Sequence, residues 1–179
     1  MTRTHSFASA LFSAAVAVVA CCVAGGTAHA QAPLIGGFTG NSPDGYGDRV
    51  DDWVGGGSIP AEDDGSSLRS FSLAGVFPNG FTYFGSNYDD FHVSTNGHLT
   101  FESSYFGYTP NPFPSSPAPM MAPFWGDGDL RGNASSPVAD NSVYVGTDVA
   151  AGLIAVTWNE VGYYNRNEDL QNSFQVLLM

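Results

Sequence analysis

Two apolar patterns divide the chain. From Ala8 to Ala20 small apolar residues run almost unbroken, whereas from Leu68 onward short runs rich in Phe, Tyr, Val, Thr and Trp alternate with clusters of Gly, Pro, Asn and Asp. The second pattern is that of strands separated by turns, and no window of about eleven residues carries helical periodicity. It predicts strands at Ser70–Val76, Thr82–Phe84, Phe91–Thr95, Leu99–Phe101, Ser142–Val145, Leu153–Trp158 and Ser173–Leu178. The expected fold is all-β, mostly antiparallel and sandwich-like, with long Pro- and Gly-rich loops.

One hairpin can be placed in register. A two-residue turn at Asn96-Gly97 would set Leu99 and Phe101 on the face opposite Phe91 and Val93, which a buried face forbids. A three-residue loop, Thr95-Asn96-Gly97 with Gly97 left-handed, removes the conflict. Val93 then faces Leu99, and Phe91 faces Phe101. The same register predicts a solvated outer face carrying Asp90, His92, Ser94, His98, Thr100 and Glu102, whose two histidines and two acids suit zinc.

Residues 31–67 are punctuated by Gly36-Gly37, Pro43-Asp44-Gly45, Gly55-Gly56-Gly57 and Asp63-Asp64-Gly65 and read as a loop-rich lead-in to a β domain at 68–179. Between Tyr108 and Pro123 the prolines at 110, 112, 114, 117, 119 and 123 exclude a central strand and predict an extended connector.

The first apolar run addresses the chain to a compartment. Arg3, the run itself and the small-x-small end Ala28-His29-Ala30 form a secretory signal over residues 1–30, expected as a cleaved helix. Val18-Val19-Ala20-Cys21 offers the alternative of lipidation at Cys21. Removal of residues 1–30 leaves 179 − 30 = 149 residues, one ordinary domain without cysteine. The run is shorter than the ~20 apolar residues of a membrane span, so no transmembrane segment is expected after cleavage.

Charge narrows the partners. The chain has no lysine, and with Arg3 removed four arginines stand against seventeen acids, 4 − 17 = −13. Nucleic acid and anionic membrane surfaces both require cationic patches and are excluded; hard cations are permitted. Asp127 and Asp129, alternate residues of an extended segment, point to one side and are the candidate calcium ligands, with Asn133 or a carbonyl completing the shell. Asp44, Asp48, Asp51 and Asp52 form a second acidic cluster, without an EF-hand loop. Tyr163 and Tyr164 are the candidate binding residues: successive strand positions face opposite ways, so one must look outward, where it can stack on a sugar. Glu160 with Asp127 or Asp129 is the only carboxylate set to offer a glycosidase, and no nucleophile elbow, zincin helix or catalytic cysteine accompanies it.

Four motifs in order now point to a family. They are Phe91-His92-Val93-Ser94-Thr95-Asn96-Gly97-His98-Leu99-Thr100-Phe101; Pro119-Met120-Met121-Ala122-Pro123-Phe124-Trp125-Gly126-Asp127-Gly128-Asp129; Ile154 to Tyr164; and Asn172 to Leu178. Together they resemble the nidogen-like extracellular domain, and Ile59 to Ser67 resembles its lead-in. The resemblance implies a β-rich extracellular module, adhesion to matrix or to a cell-surface protein or glycan, and no catalytic residues. The alternative is a secreted carbohydrate-active hydrolase fragment or a carbohydrate-binding module. The family's domain continues beyond Gln175 with further strands, and the run Ser173 to Met179 ends on an apolar strand with no closing turn. Such a strand is an unprotected edge, so the expectation is a piece of a longer protein.

Amino-terminal sequencing of the exported protein is expected to begin at Gln31; a blocked, lipid-bearing Cys21 would replace free secretion with anchoring.

Overall fold

The computed structural model describes residues 16–22, 33–54, 61–112, 115–132 and 141–179, and every regular element among them is a strand. In chain order these are β1 (Val16–Cys22), β2 (Asp48–Arg49), β3 (Trp53–Val54), β4 (Ser66–Ser67), β5 (Phe71–Ser72), β6 (Phe81–Tyr83), β7 (Ser86–Tyr88), β8 (Asp90–Val93), β9 (Leu99–Thr100), β10 (Met120–Met121), β11 (Gly128–Asp129), β12 (Ser142–Asp148), β13 (Leu153–Tyr163) and β14 (Asn167–Leu178).

The larger sheet runs β1-β14-β13-β12-β2, with β11 also on β13, and the smaller runs β10-β9-β8-β5. All their ladders are antiparallel. Period two decides what lies between them. Ile154, Val156 and Trp158 of β13 and Phe174, Val176 and Leu178 of β14 meet Phe91, Val93, Leu99, Phe101 and Met121 of the smaller sheet in one buried cluster. Trp158 stacks on Phe174 with ring centroids 4.9 Å apart, and its indole N–H donates to the Ser94 carbonyl at 2.9 Å, joining the sheets. The all-β, antiparallel, sandwich-like expectation holds.

The opposite face of the larger sheet is also covered. Phe38 packs on Ala155 and Leu177, while Gln175, wholly buried, exchanges hydrogen bonds with both the N–H and the carbonyl of Ile35. Burial on both faces explains why Val176-Leu177-Leu178 reads as a continuous apolar run without alternation. The lead-in is therefore a packed layer over the sheet.

The hairpin register is as the sequence requires where it forms: Val93 faces Leu99, the Ser94 N–H donates to the His98 carbonyl at 2.8 Å, and Gly97 has φ of 77°. The ladder ends at the next pair, His92 with Thr100. Phe91 is instead aligned with Phe71 across β5, and the Phe101 N–H donates to the Pro119 carbonyl.

Two expectations are corrected, and one hairpin is added. Ser94, His98 and Thr100 do not lie on a solvated face; all three are buried. A layer made by residues 61–67 and 103–107 covers them through polar contacts: Ser94 Oγ donates to the Gly65 carbonyl, Thr100 Oγ1 to the Ser103 carbonyl, and the Val93 N–H to Ser67 Oγ. Alternation identifies the apolar face, but it does not exclude a polar second interface. The signal segment, expected as a helix, contains a strand: Val16–Cys22 pairs antiparallel with Asn172–Leu178 from end to end. A β-branched run meets an edge whose backbone groups need partners, and extension satisfies both. In the uncleaved chain that strand covers the β14 edge; cleavage after Ala30 would remove it and leave the edge open. The β6–β7 hairpin was unanticipated, because its turn is Phe84-Gly85, with φ of 46° and 83°, where such turns favour Asn-Gly.

Gly97 is held by more than its φ. A Cβ there would lie 1.9 Å from the Phe124 carbonyl oxygen, whereas one on Gly152, also left-handed, would meet nothing within 4 Å. Urea unfolding is expected to show Gly97→Ala losing about 3 kcal/mol, overpacking added to the left-handed penalty, and Gly152→Ala only about 1 kcal/mol.

Candidate functional site

Two side chains fasten the hairpin tip: Thr95 Oγ1 accepts from the Gly65 N–H and donates to the Asp63 carbonyl, and Asn96 reaches further. Asn96, 1% exposed, donates through Nδ2 to Asp64 Oδ1 and to the Phe106 carbonyl, each at 3.0 Å, and accepts the Gly128 N–H at 2.8 Å on Oδ1. The lead-in, the connector and the 124–129 segment are thereby drawn to one point. Gly128 sits so close that a Cβ would lie 2.7 Å from the Thr95 carbonyl oxygen. β11 then pairs Gly128 with Tyr163 and Asp129 with Gly162.

Between this knot and the β13–β14 hairpin lies a cleft of about 640 Å³. Its walls are Phe124, Val161, Tyr163, Tyr164, Leu170 and Phe174, and Asp127 is the one carboxylate among its described lining. Phe124, Tyr164 and Leu170 are exposed large apolar residues, and all three stand around this opening. Tyr163 and Tyr164 were expected on opposite faces. Both line the cleft, because Tyr164 has left the strand for a turn, its N–H bonded to the Asp127 carbonyl at 3.1 Å. The Tyr163 hydroxyl donates to Asp169 at 2.7 Å, a bond that raises its pKa.

The carboxylates divide differently from the sequence reading. Asp129 is committed to Arg131, and among the described residues no ion pair reaches Asp127. Asp129, wholly buried, accepts bonds from the Arg131 guanidinium at 2.9 and 2.7 Å and from the backbone N–H groups of Arg131 and Arg166, each at 2.9 Å. Burial alone would raise its pKa, but these bonds outweigh it and hold the carboxyl below the usual range. Arg131, only two residues along the chain, was the available signal for this pairing. The same guanidinium reaches Asp63 at 2.5 Å.

Asp127 instead joins Asp63 and Asp64, with one oxygen of each within 4.8 Å of the others. Burial, then the charge of Asp129, raises Asp63 to about 6 in spite of Arg131; burial, then Asp64 and Asp129, raises Asp127. These three carboxylates, Asp127 among them, could offer oxygens to a hard cation; Asn133 lies outside the described residues. Of the second acidic cluster, Asp52 pairs with Arg69 at 3.2 Å, and among the described residues Asp44, Asp48, Asp51 and Asp52 form no converging group. Glu160 occupies a bulge of β13 with φ of 50° and does not line the cleft, nor does Asp129. The two histidines are each occupied separately, His92 with the Ser67 carbonyl at 3.0 Å and His98 with the Gly107 carbonyl at 3.3 Å.

The family model for NIDO-related domains matches residues 61–179. The chain belongs to the NIDO-related family. The matched region contains Asp63, Asp64, Asn96 and the whole described lining of the cleft. A nidogen from Drosophila melanogaster is 29% identical over 116 residues, which cover 54% of this chain and 8% of that protein. The chain thus spans less than a tenth of the length of that relative. No solved structure matches it significantly.

His98 carries the clearest pH signature. Burial, against one backbone hydrogen bond, lowers its pKa to about 4, and Nδ1 has no hydrogen-bond partner among the described residues. The unfolded ring titrates near ~6.5, so the unfolded state binds the proton first. Stability is full above ~6.5 and is lost, by on the order of 3 kcal/mol, as pH falls toward about 4. Asp63 acts with the opposite sign: its raised carboxyl gains a proton in the folded state first, and stability rises as pH falls through about 6. Its side chain is part exposed, which keeps this gain the smaller. Urea unfolding at stepped pH is expected to show a net loss between 6.5 and 4, deeper in Asp63→Asn. A His98 resonance titrating near 6.5 would show the ring solvated.

Proposed function

We propose that the chain is an extracellular adhesion and recognition module that binds a matrix or cell-surface protein or glycan through the cleft between the hairpin tip and the β13–β14 turn, without catalysis. The observation that carries this reading is the convergence of Phe124 with Tyr164 and Leu170 of the β13–β14 hairpin, all exposed apolar residues, around one opening. Clustered exposed apolar side chains with aromatic anchors mark recognition surfaces. Membership of the NIDO-related family and the likeness to a nidogen agree with an extracellular setting, as does the signal-like start at residues 1–30. No helix among the described residues is long and apolar enough to cross a membrane.

The hydrolase alternative draws on the raised carboxyls of Asp63 and Asp127. Glycoside hydrolysis uses two carboxyls that flank the scissile bond, ~5 Å or more apart. Here one carboxyl lines the cleft, and Asp63, Asp64 and Asp127 bring their oxygens together within 4.8 Å. The arrangement suits binding of positive charge more than acid–base division of labour.

Binding of the exported protein to immobilised extracellular-matrix extract is expected to fall at least tenfold, about 1.4 kcal/mol, in Tyr164→Ala and in Phe124→Ala. Phe84→Ala, at an exposed tip outside the cleft, is expected to bind as the parent does. Equal binding by all three would place recognition elsewhere.

A further inference from the structure

The cleft joins an aromatic wall to a carboxylate that lacks a counter-charge. Among the described residues the ion pairs are Arg69 with Asp52 and Arg131 with Asp63 and Asp129, and none reaches Asp127. Around it Asp63, Asp64, Asp127 and Asp129 contribute four negative charges, against which Arg131 supplies one positive, −4 + 1 = −3. The chain has few cations to add: outside the signal segment it has four arginines and no lysine. None of these cations pairs with Asp127, so its charge is open to one brought from outside.

We propose that the cleft takes the side chain of an arginine or lysine carried on an extended segment of the partner protein, its charge against Asp127 and its methylene stem along Tyr163, Tyr164, Phe124 and Leu170. The assignment rests on the reading of this cleft as the recognition site. Long cationic side chains bury their stems on apolar surface while the head keeps a polar partner, and aromatic faces attract the head. The volume of about 640 Å³ holds one such side chain together with the backbone on either side of it.

Two other occupants fit less well. A sugar is oriented by several directed hydrogen bonds, yet Asn96, Thr95 and the Tyr163 hydroxyl are already engaged inside the protein, which leaves Asn172, Asp127 and the Tyr164 hydroxyl as the remaining polar groups of the lining. Calcium takes ~6–8 oxygens; Arg131 takes Asp63 Oδ2 and Asn96 takes Asp64 Oδ1, Asp63 Oδ1 is buried without a partner among the described residues, and the wall beside Asp127 is aromatic and aliphatic and adds no oxygens.

The test uses the exported protein and two probes of the same length and shape, N-acetyl-arginine amide and N-acetyl-citrulline amide, in which the second exchanges the charged guanidinium for a neutral ureido group, followed by NMR of the tyrosine rings and of Asp127. The arginine probe is expected to shift Tyr163, Tyr164 and Asp127 and to bind at least tenfold more tightly than the citrulline probe. Asp127→Asn is expected to reduce the arginine probe to the citrulline level without changing the melting temperature. Equal binding of the two probes overturns the proposal, as do arginine shifts confined to other residues. Calcium binding at Asp127 with no response to the arginine probe also overturns it. The matrix assay separates this proposal from the one beneath it. Binding lost in Tyr164→Ala but kept in Asp127→Asn leaves the cleft as the site and removes the cation; binding kept in both removes the cleft.

Discussion

The fold turns on a single buried amide. Asn96 has three strong hydrogen-bonding positions, and each is met by a different stretch of chain: Asp64 before the hairpin, Phe106 after it, and Gly128 beyond the proline-rich connector. None of those stretches has a long ladder of its own. A buried amide that satisfies all its partners fixes a unique arrangement, because any slippage would leave polar groups dry and unpaired. The Asp129–Arg131–Asp63 bridge, one turn of chain away, repeats the principle with charge. The cleft is the space that remains between this knot and the long β13–β14 hairpin, so its geometry is inherited from polar contacts, while its walls are apolar.

That division explains what was legible in the sequence. The hairpin from Phe91 to Phe101 could be read because a period-two pattern and an Asn-Gly loop overdetermine the register at Val93 and Leu99. The long strands β12, β13 and β14 were placed for the same reason, though β13 and β14 run past their predicted ends toward the turn where Tyr163 and Tyr164 sit. Tyr163 and Tyr164 come to line one cleft because strand alternation stops where Tyr164 enters the turn.

What could not be read was tertiary and polar. Asn96 reads as a turn former, and nothing local distinguishes an exposed turn amide from a buried one with three remote partners. Ser94, His98 and Thr100 look solvated because their neighbours on the opposite face are apolar, yet they are buried under segments whose own sequence is loop-like. Asp127 and Asp129 look like a pair because they are spaced as one; Arg131 claims the second, and residues more than sixty positions earlier claim the first. Spacing finds ligands that share an element, and here the carboxylates that share a location belong to different ones.

The clamp between Ile35 and Gln175 has a consequence for the order in which the molecule is made. These residues lie 140 positions apart and are joined through both backbone groups of Ile35. Closure over that span is entropically late, and folds dominated by such pairings form slowly. The lead-in leaves the ribosome long before the strand that receives it, so for most of synthesis the sheet has no partner for its first layer. Until β14 has emerged the clamp on Ile35 cannot close, and a lead-in left open in this way is in the condition in which a polypeptide can be threaded through a narrow channel.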